Sequence, residues 1–264
     1  MEPCRLDELK RWFDEYTSRF LGRDEYVNMH LRLKQEHTRR TCGEILYLAG
    51  RLALDDNQTR IAETVALLHD VGRFPQFATY RTYNDVRSVN HGCLGVQVLH
   101  QEGVLEALAP EERQWIETAV AHHSRKSMPA GLDGPGLLFL KLIRDADKLD
   151  IYRIVSDVYR RRREDPTGLS FEIELPDEPW VTPEVMEAVL AGRLIEHASL
   201  RTLNDIRICQ IGWVYDMNFV ASLERFNARG LLDELLGYLP QDDRIRQLRL
   251  RIFEYLNSRL ASGS

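Results

Sequence analysis

Leu67-Leu68-His69-Asp70-Val71-Gly72-Arg73 sets an imidazole beside a carboxylate at the end of an apolar helical run. On the helix that the spacing predicts over Asp56–Val71, such positions would normally face core. A carboxylate buried without a partner costs several kcal/mol, so the fold must bring positive charge to it. A divalent metal does this well. Further candidate ligands lie on both sides in sequence: His37, His91, His122, His123 and Asp147. The stretch therefore predicts a metal site assembled from several helices.

Outward from this point, helical periodicity dominates. Leu6, Leu9, Trp12, Phe13, Tyr16 and Phe20 recur at spacings of three and four, and the pattern closes at Gly22. Tyr26–Leu52 repeats it over a long helix containing His37. Asp56 or Asn57 suits the N-cap of the helix that ends on His69-Asp70, and Gly72 suits its stop. Arg73–Asn90 reads as a loop with two aromatic clusters, Phe74 with Phe77 and Tyr80 with Tyr83. Ser88 then caps a helix carrying His91, and Pro110 opens another that ends near His122-His123-Ser124. A Pro/Gly-rich loop, Pro129–Gly136, leads into a helix over Leu137–Arg163 that holds Asp145-Ala146-Asp147-Lys148-Leu149-Asp150.

Beyond Pro166 the pattern changes. Leu169–Leu175 alternates as a short strand, confined by Pro176 and Pro179 to an edge or an extended loop. Helices resume at Pro183 and are expected over Leu194–Phe226, Leu231–Tyr238 and Asp242–Leu260. The expectation is an all-α fold with an N-terminal helix over 1–24, a metal-binding helical core over 25–165 and a C-terminal helical extension over 166–264 packed on that core.

Composition narrows the class. The 264 residues are 44% hydrophobic and 29% charged, ordinary for a globular protein. A net charge of −6 argues against general nucleic-acid binding, which needs a basic face. It still admits a small anionic substrate where positive charge gathers locally. The N-terminal stretch lacks the apolar core of a signal peptide, and no run approaches the roughly 20 apolar residues of a membrane helix. Cys4, Cys42, Cys93 and Cys209 are scattered without CxxC spacing and read as reduced structural thiols. Together these predict a cytoplasmic soluble enzyme.

The ordered series His37, His69-Asp70, His91, His122-His123, Asp147 spaces its members by about one helix and one connection. Neighbouring helices can thus each send one ligand inward, as in bundle metal sites. Imidazoles with carboxylates suit iron, manganese, zinc, cobalt or nickel, with magnesium also admissible. In its wording this series resembles the HD-domain superfamily of metal-dependent phosphohydrolases. His69-Asp70-Val71-Gly72-Arg73 resembles HDxG[KR], Ser88-Val89-Asn90-His91-Gly92 resembles the SxxH segment, and Asp145–Asp150 resembles the closing DADKLD. The resemblance runs from His30 to Ile154 and is nearest to the members with extra histidines, which hold two metals.

The resemblance implies one metal on His37, His69, Asp70 and Asp147. It implies a second that shares Asp70 as a bridge and adds His91, His122 and His123, with His122 the stronger ligand of its pair. It implies hydrolysis of a phosphomonoester or phosphodiester of a small molecule, a nucleotide among the candidates, by a hydroxide formed at the metals. In that reading Asp70, Lys148 and Asp150 carry the chemistry. Arg73, Lys148, Arg81 and Arg87 meet the substrate, and the loop holding Tyr80, Arg81 and Arg87 is a candidate lid.

Two departures limit the likeness. The Gly-Tyr-Pro element of cyclic-dinucleotide phosphodiesterases is replaced by Ser127-Met128-Pro129-Ala130-Gly131, and position 33, one turn before His37, is Leu rather than a carboxylate. The competing readings are a mixed-valence di-iron oxygenase on the same ligand set and a non-catalytic metal-containing sensor. Partners are expected to be the small phosphate substrate and a second copy in a homodimer. His30, His100 and His197 match no motif and are expected at the surface. Arg160–Arg163 reads as a solvated helix end, and Trp213, Tyr215 and Phe219 as core or a subunit interface.

Overall fold

The structure, a computed structural model, describes residues 1–164 and 175–262. Its described residues are helical, with short turns and no strand. The chain divides into two compact units, Met1–Asp150 and Ile151–Ser264. No helix among the described residues is long and apolar enough to cross a membrane.

The first unit holds α1 (Pro3–Ser18), α2 (Glu25–Arg51), α3 (Asp56–Leu68), α4 (Arg73–Tyr80), α5 (His91–Gln101) and α6 (Pro110–His122), with the first part of α7 (Gly134–Glu164). Its core is made where apolar stripes meet: Leu31, Ile45 and Leu48 of α2, Ile61, Val65 and Leu68 of α3, Ile116 and Val120 of α6, and Phe139, Leu140 and Ile143 of α7. α3 packs on α1, α2 and α6, while α5 packs on α4 and α6. The functional side chains are drawn from this arrangement.

Local chemistry sets the boundaries. The N-cap of α3 is Asp55 rather than Asp56 or Asn57, because Asp55 and Gln58 bond reciprocally in a capping box. The N-cap of α5 is Asn90 rather than Ser88, its side chain accepting from the Cys93 amide. Part of the expected Arg73–Asn90 loop is helix α4. Pro75 lies in its first turn, where the missing N–H needs no partner. Phe74 and Phe77 of α4 are fully buried, Phe74 edge-on to Phe13 of α1. His30 is not a surface residue: it stacks on Phe77 with ring centroids 4.5 Å apart, in a cluster with Tyr26 and Tyr83. His100 is exposed and pairs with Glu117.

The second unit begins within α7 and continues with α8 (Pro183–Leu190), α9 (Leu203–Gly212), α10 (Val220–Ala228), α11 (Leu231–Leu236) and α12 (Asp243–Ala261). The single helix expected over Leu194–Phe226 is broken into 3₁₀ turns at His197–Ser199 and Trp213–Asp216 flanking α9, followed by α10. The break before α9 has a clear cause. The buried Asp205 carboxylate accepts from the Thr182 amide and hydroxyl and from the Arg201 amide, and it closes a capping box with Thr202. Tyr152 and Tyr159 donate to the backbone and side-chain oxygens of Gln210, each at 2.7 Å. Trp213 packs on Tyr152 and Tyr215 on Tyr255, and both are half-buried rather than core. The strand expected over Leu169–Leu175 lies outside the described residues except for Leu175, which is not strand.

Replacing Asp55 with Ala removes the capping box and is expected to lower stability by about 1 kcal/mol, read as a lower midpoint in urea unfolding at unchanged slope.

Candidate metal centre

Six side chains converge in the first unit. His37 comes from the middle of α2, and His69 caps the C-terminus of α3 with Asp70 directly after it. His91 opens α5, His123 caps the C-terminus of α6, and Asp147 projects from α7. Close backbone approach makes this possible. A Cβ at Gly72 would collide with the His91 carbonyl oxygen. One at Gly92 would lie 2.8 Å from the Val120 carbonyl, and one at Gly95 would lie 3.1 Å from Val120 Cγ1. The three glycines let α5 sit against the α3–α4 corner and against α6.

Asp70 is the centre of the arrangement, and its two oxygens face different groups. Oδ2 lies 3.7 Å from His37 Nε2 and 3.6 Å from His69 Nε2. Oδ1 lies 3.5 Å from His91 Nε2 and 3.7 Å from His123 Nε2. Asp147 Oδ1 closes the first group at 3.1 Å from His37 Nε2 and 3.8 Å from His69 Nε2. Ligand atoms of His37, His69 and Asp70, of Asp70, His91 and His123, and of His69, His123 and Asp147 fall within 4.8 Å of one another, a spacing that a single ion spans.

The outward nitrogens fix the tautomers. His69 Nδ1 donates to the Ala66 carbonyl at 2.7 Å and His123 Nδ1 to the Val120 carbonyl at 2.9 Å, each three residues back. Carbonyls in the last turn of a helix lack intrahelical partners, so a histidine at the C-cap finds an acceptor in its own helix. His37 sits mid-helix and His91 at a helix start, where no such carbonyl is free. Both use carboxylates instead: His37 Nδ1 meets Asp150 Oδ2 at 2.7 Å, and His91 Nδ1 meets Asp85 Oδ2 at 2.7 Å. With every Nδ1 protonated, every neutral ring points a lone pair inward. Yet His37 Nε2 and His69 Nε2 are 3.3 Å apart, and His91 Nε2 and His123 Nε2 are 3.1 Å apart. Two lone pairs do not face each other at that range unless a proton or a metal cation stands between them. The donor set therefore fits a metal, with imidazoles oriented by carboxylates and carbonyls as metal-binding histidines usually are.

Electrostatics agree for His69 and His91. Burial drives the His69 and His91 pKa values down to about 4, keeping both rings neutral and able to ligate. Burial and Lys34 also push His37 down, but hydrogen bonds to Asp147 and Asp150 prevail and raise it. Burial would raise Asp70, yet Lys34, His69, His123 and Arg73 hold it well below the usual carboxylate range. Asp147 is likewise lowered against burial, chiefly by His37.

Several sequence expectations are redistributed. His123, not His122, turns into the cluster; His122 is only partly buried, and successive helical residues point about 100° apart. Asp150 is buried, bonded to His37 and clamped by Arg40 at 2.6 Å, a position outside the ring of inward-facing nitrogens. Arg73 directs Nη1 to Gln76, the Tyr83 carbonyl and Asp85, while Nε lies 3.5 Å from Asp70 Oδ1. Arg81 pairs with Asp24 at 2.6 Å on the surface, Arg87 is exposed, and Lys148 donates to the Arg144 carbonyl at 3.3 Å.

Three groups escaped the sequence reading: Lys34, whose Nζ is 2.7 Å from Asp70 Oδ2, and the outer partners Asp85 and Arg40. Lys34 lies one turn before His37, a spacing that marks it in retrospect.

Residues 35–152 match the family model for the HD domain. HD domains bind divalent metals and are mostly metal-dependent hydrolases. Among curated proteins and solved structures, none matches the chain. The match spans the residues that build the cluster, from two positions before His37 to five after Asp147.

Two substitutions separate the histidine pair. His123→Ala is expected to weaken divalent-cation uptake at least tenfold in calorimetric titration, and His122→Ala to leave it within twofold of wild type. Gly92→Ala is expected to force α5 away from α6 and lower the unfolding midpoint, because the added carbon meets backbone rather than a movable side chain.

Proposed function

We propose that the protein is a metal-dependent phosphohydrolase that cleaves a phosphomonoester or phosphodiester of a small molecule, with nucleotides the first class to test. The observation that carries this reading is the pair of facing Nε2 couples on either side of Asp70, one couple to each carboxylate oxygen. His37, His69, Asp70 and Asp147 would hold one cation, and Asp70, His91 and His123 a second. Bound there, two divalent cations would supply a water of lowered pKa and neutralise charge on phosphoryl oxygens.

The remaining work belongs to the chain's own residues. Asp70 divides its charge between the two groups, and its burial keeps water from competing for its oxygens. Asp150 and the Ala66 and Val120 carbonyls retain the Nδ1 protons of His37, His69 and His123, so these rings present Nε2 and do not act as proton shuttles. Lys34, 22% exposed, and Asp147, 16% exposed, are more open than the four imidazoles, each exposed by 2% or less, so substrate reaches the cluster on their side. Lys34 and Arg73 concentrate positive charge there in a chain of net charge −6, which draws an anionic substrate to the site.

Metal analysis of the purified protein, followed by nucleotides, phosphodiesters and a chromogenic phosphoester offered with Mn²⁺, Fe²⁺, Co²⁺ or Ni²⁺, tests the proposal. Metal-dependent release of phosphate or an alcohol is expected, and Asp70→Ala should abolish it by on the order of 10³-fold while losing both cations. Full metal occupancy in Asp70→Ala, or turnover that requires O₂, contradicts the reading.

A further inference from the structure

The four inward-facing imidazoles are not held equally. The acceptors for His69 and His123 are backbone carbonyls of their own helices. The acceptor for His37 is Asp150, 1% exposed on α7 and gripped by Arg40 through two hydrogen bonds, at 2.6 and 3.0 Å. The acceptor for His91 is Asp85, 28% exposed, on the non-helical segment 81–90 between α4 and α5. Val86, the next residue, is 95% exposed. His91 is thus the one ligand of the four whose orientation depends on a solvent-reachable loop side chain.

Asp85 also joins His91 to groups of α4 and of its own loop. Its carboxylate accepts from His91 Nδ1 at 2.7 Å, Arg73 Nη1 at 2.9 Å, Gln76 Nε2 at 3.0 Å and Asn90 Nδ2 at 3.2 Å. Arg73 in turn reaches Asp70 Oδ1, the oxygen that faces His91 and His123. One loop carboxylate therefore fixes a ligand of the second group and holds the guanidinium lying against the shared carboxylate.

We propose that Asp85 is the positioning residue that governs cation affinity at the His91–His123 side of Asp70, so that this side, already the poorer by one carboxylate where Asp147 closes on His37 and His69, depends on the order of segment 81–90. The inference rests on the two-cation reading above. Fixing Nδ1–H against a carboxylate raises the basicity of Nε2 and prevents the ring from turning. Outer partners of this kind are worth roughly 10- to 100-fold in metal affinity. At the His37–His69 side the corresponding partners are buried, so that side keeps its geometry whatever the loop does.

The test is calorimetric titration of Mn²⁺ into metal-free wild type, Asp85→Ala, Asp85→Asn and His91→Ala, with thermal unfolding of each metal-free variant and with Co²⁺ absorption as a report on ligand geometry. Wild type is expected to take up two cations, one more tightly than the other. Asp85→Ala should weaken the second uptake 10- to 100-fold, leave the first within twofold and alter the Co²⁺ spectrum only in the second step, as His91→Ala does more severely. Asp85→Asn keeps an oxygen for the Nδ1 proton and should recover part of the loss. Equal weakening of both uptakes, or a loss that follows a fall in unfolding temperature, assigns Asp85 a merely structural role and overturns the proposal. Two unchanged uptakes in Asp85→Ala overturn it alone, whereas a wild type that binds a single cation overturns the two-cation reading and this inference with it.

Discussion

The first unit is organised around a buried carboxylate. Removing an ionised group from water carries an effective penalty of several kcal/mol, and nothing in an apolar helical core offsets it. Asp70 is 3% exposed, and its two oxygens are met by four imidazoles, Lys34 and Arg73. These partners come from five elements: α2, α3, α4, α5 and α6. No local segment could assemble them, so the helix packing and the neutralisation of Asp70 must form together. That dependence explains why small residues sit where backbones meet. Side chains at Gly72 and Gly92 would hold α5 away from the α3–α4 corner and from α6, and Asp70 Oδ1 would lose its partners.

Helix ends do much of the orienting. A histidine at a C-cap finds a free carbonyl three residues back, and His69 and His123 use it identically. A histidine in mid-helix or at a helix start must import an acceptor, and His37 and His91 use carboxylates from α7 and from segment 81–90. The four imidazoles face Asp70 two by two, but their outer partners differ. One side is locked by buried groups and the other by a loop. In the two-cation reading proposed above, this asymmetry would add to the one that Asp147 sets by closing on His37 and His69.

Much of this was legible in the sequence, and for identifiable reasons. Helical periodicity gave α1, α2, α3, α6 and α7 nearly in place, and the ordered His and Asp residues marked the elements that meet. What the pattern did not carry was orientation and distance. His122 and His123 are adjacent, and only the packing of α6 decides which one turns inward. α4 was hidden by Pro75 and by a dense aromatic stretch that reads as loop, although a first-turn proline costs a helix nothing. Lys34 and Asp85 were missed because a lysine on a helix face and an aspartate in a loop are ordinarily solvated; their roles follow from contacts 36 and 6 residues away in sequence. In the second unit, the long helix expected over Leu194–Phe226 failed because Thr202 and the buried Asp205 cap a new helix inside it.

The central claim is that Asp70 bridges two cations. Anomalous X-ray diffraction from crystals of the Mn²⁺-loaded protein tests it most directly. The account predicts two peaks about 3.5–4 Å apart on either side of the Asp70 carboxylate, one against His37, His69 and Asp147 and one against His91 and His123. A single peak, or a pair that leaves Asp70 outside the space between them, would contradict it.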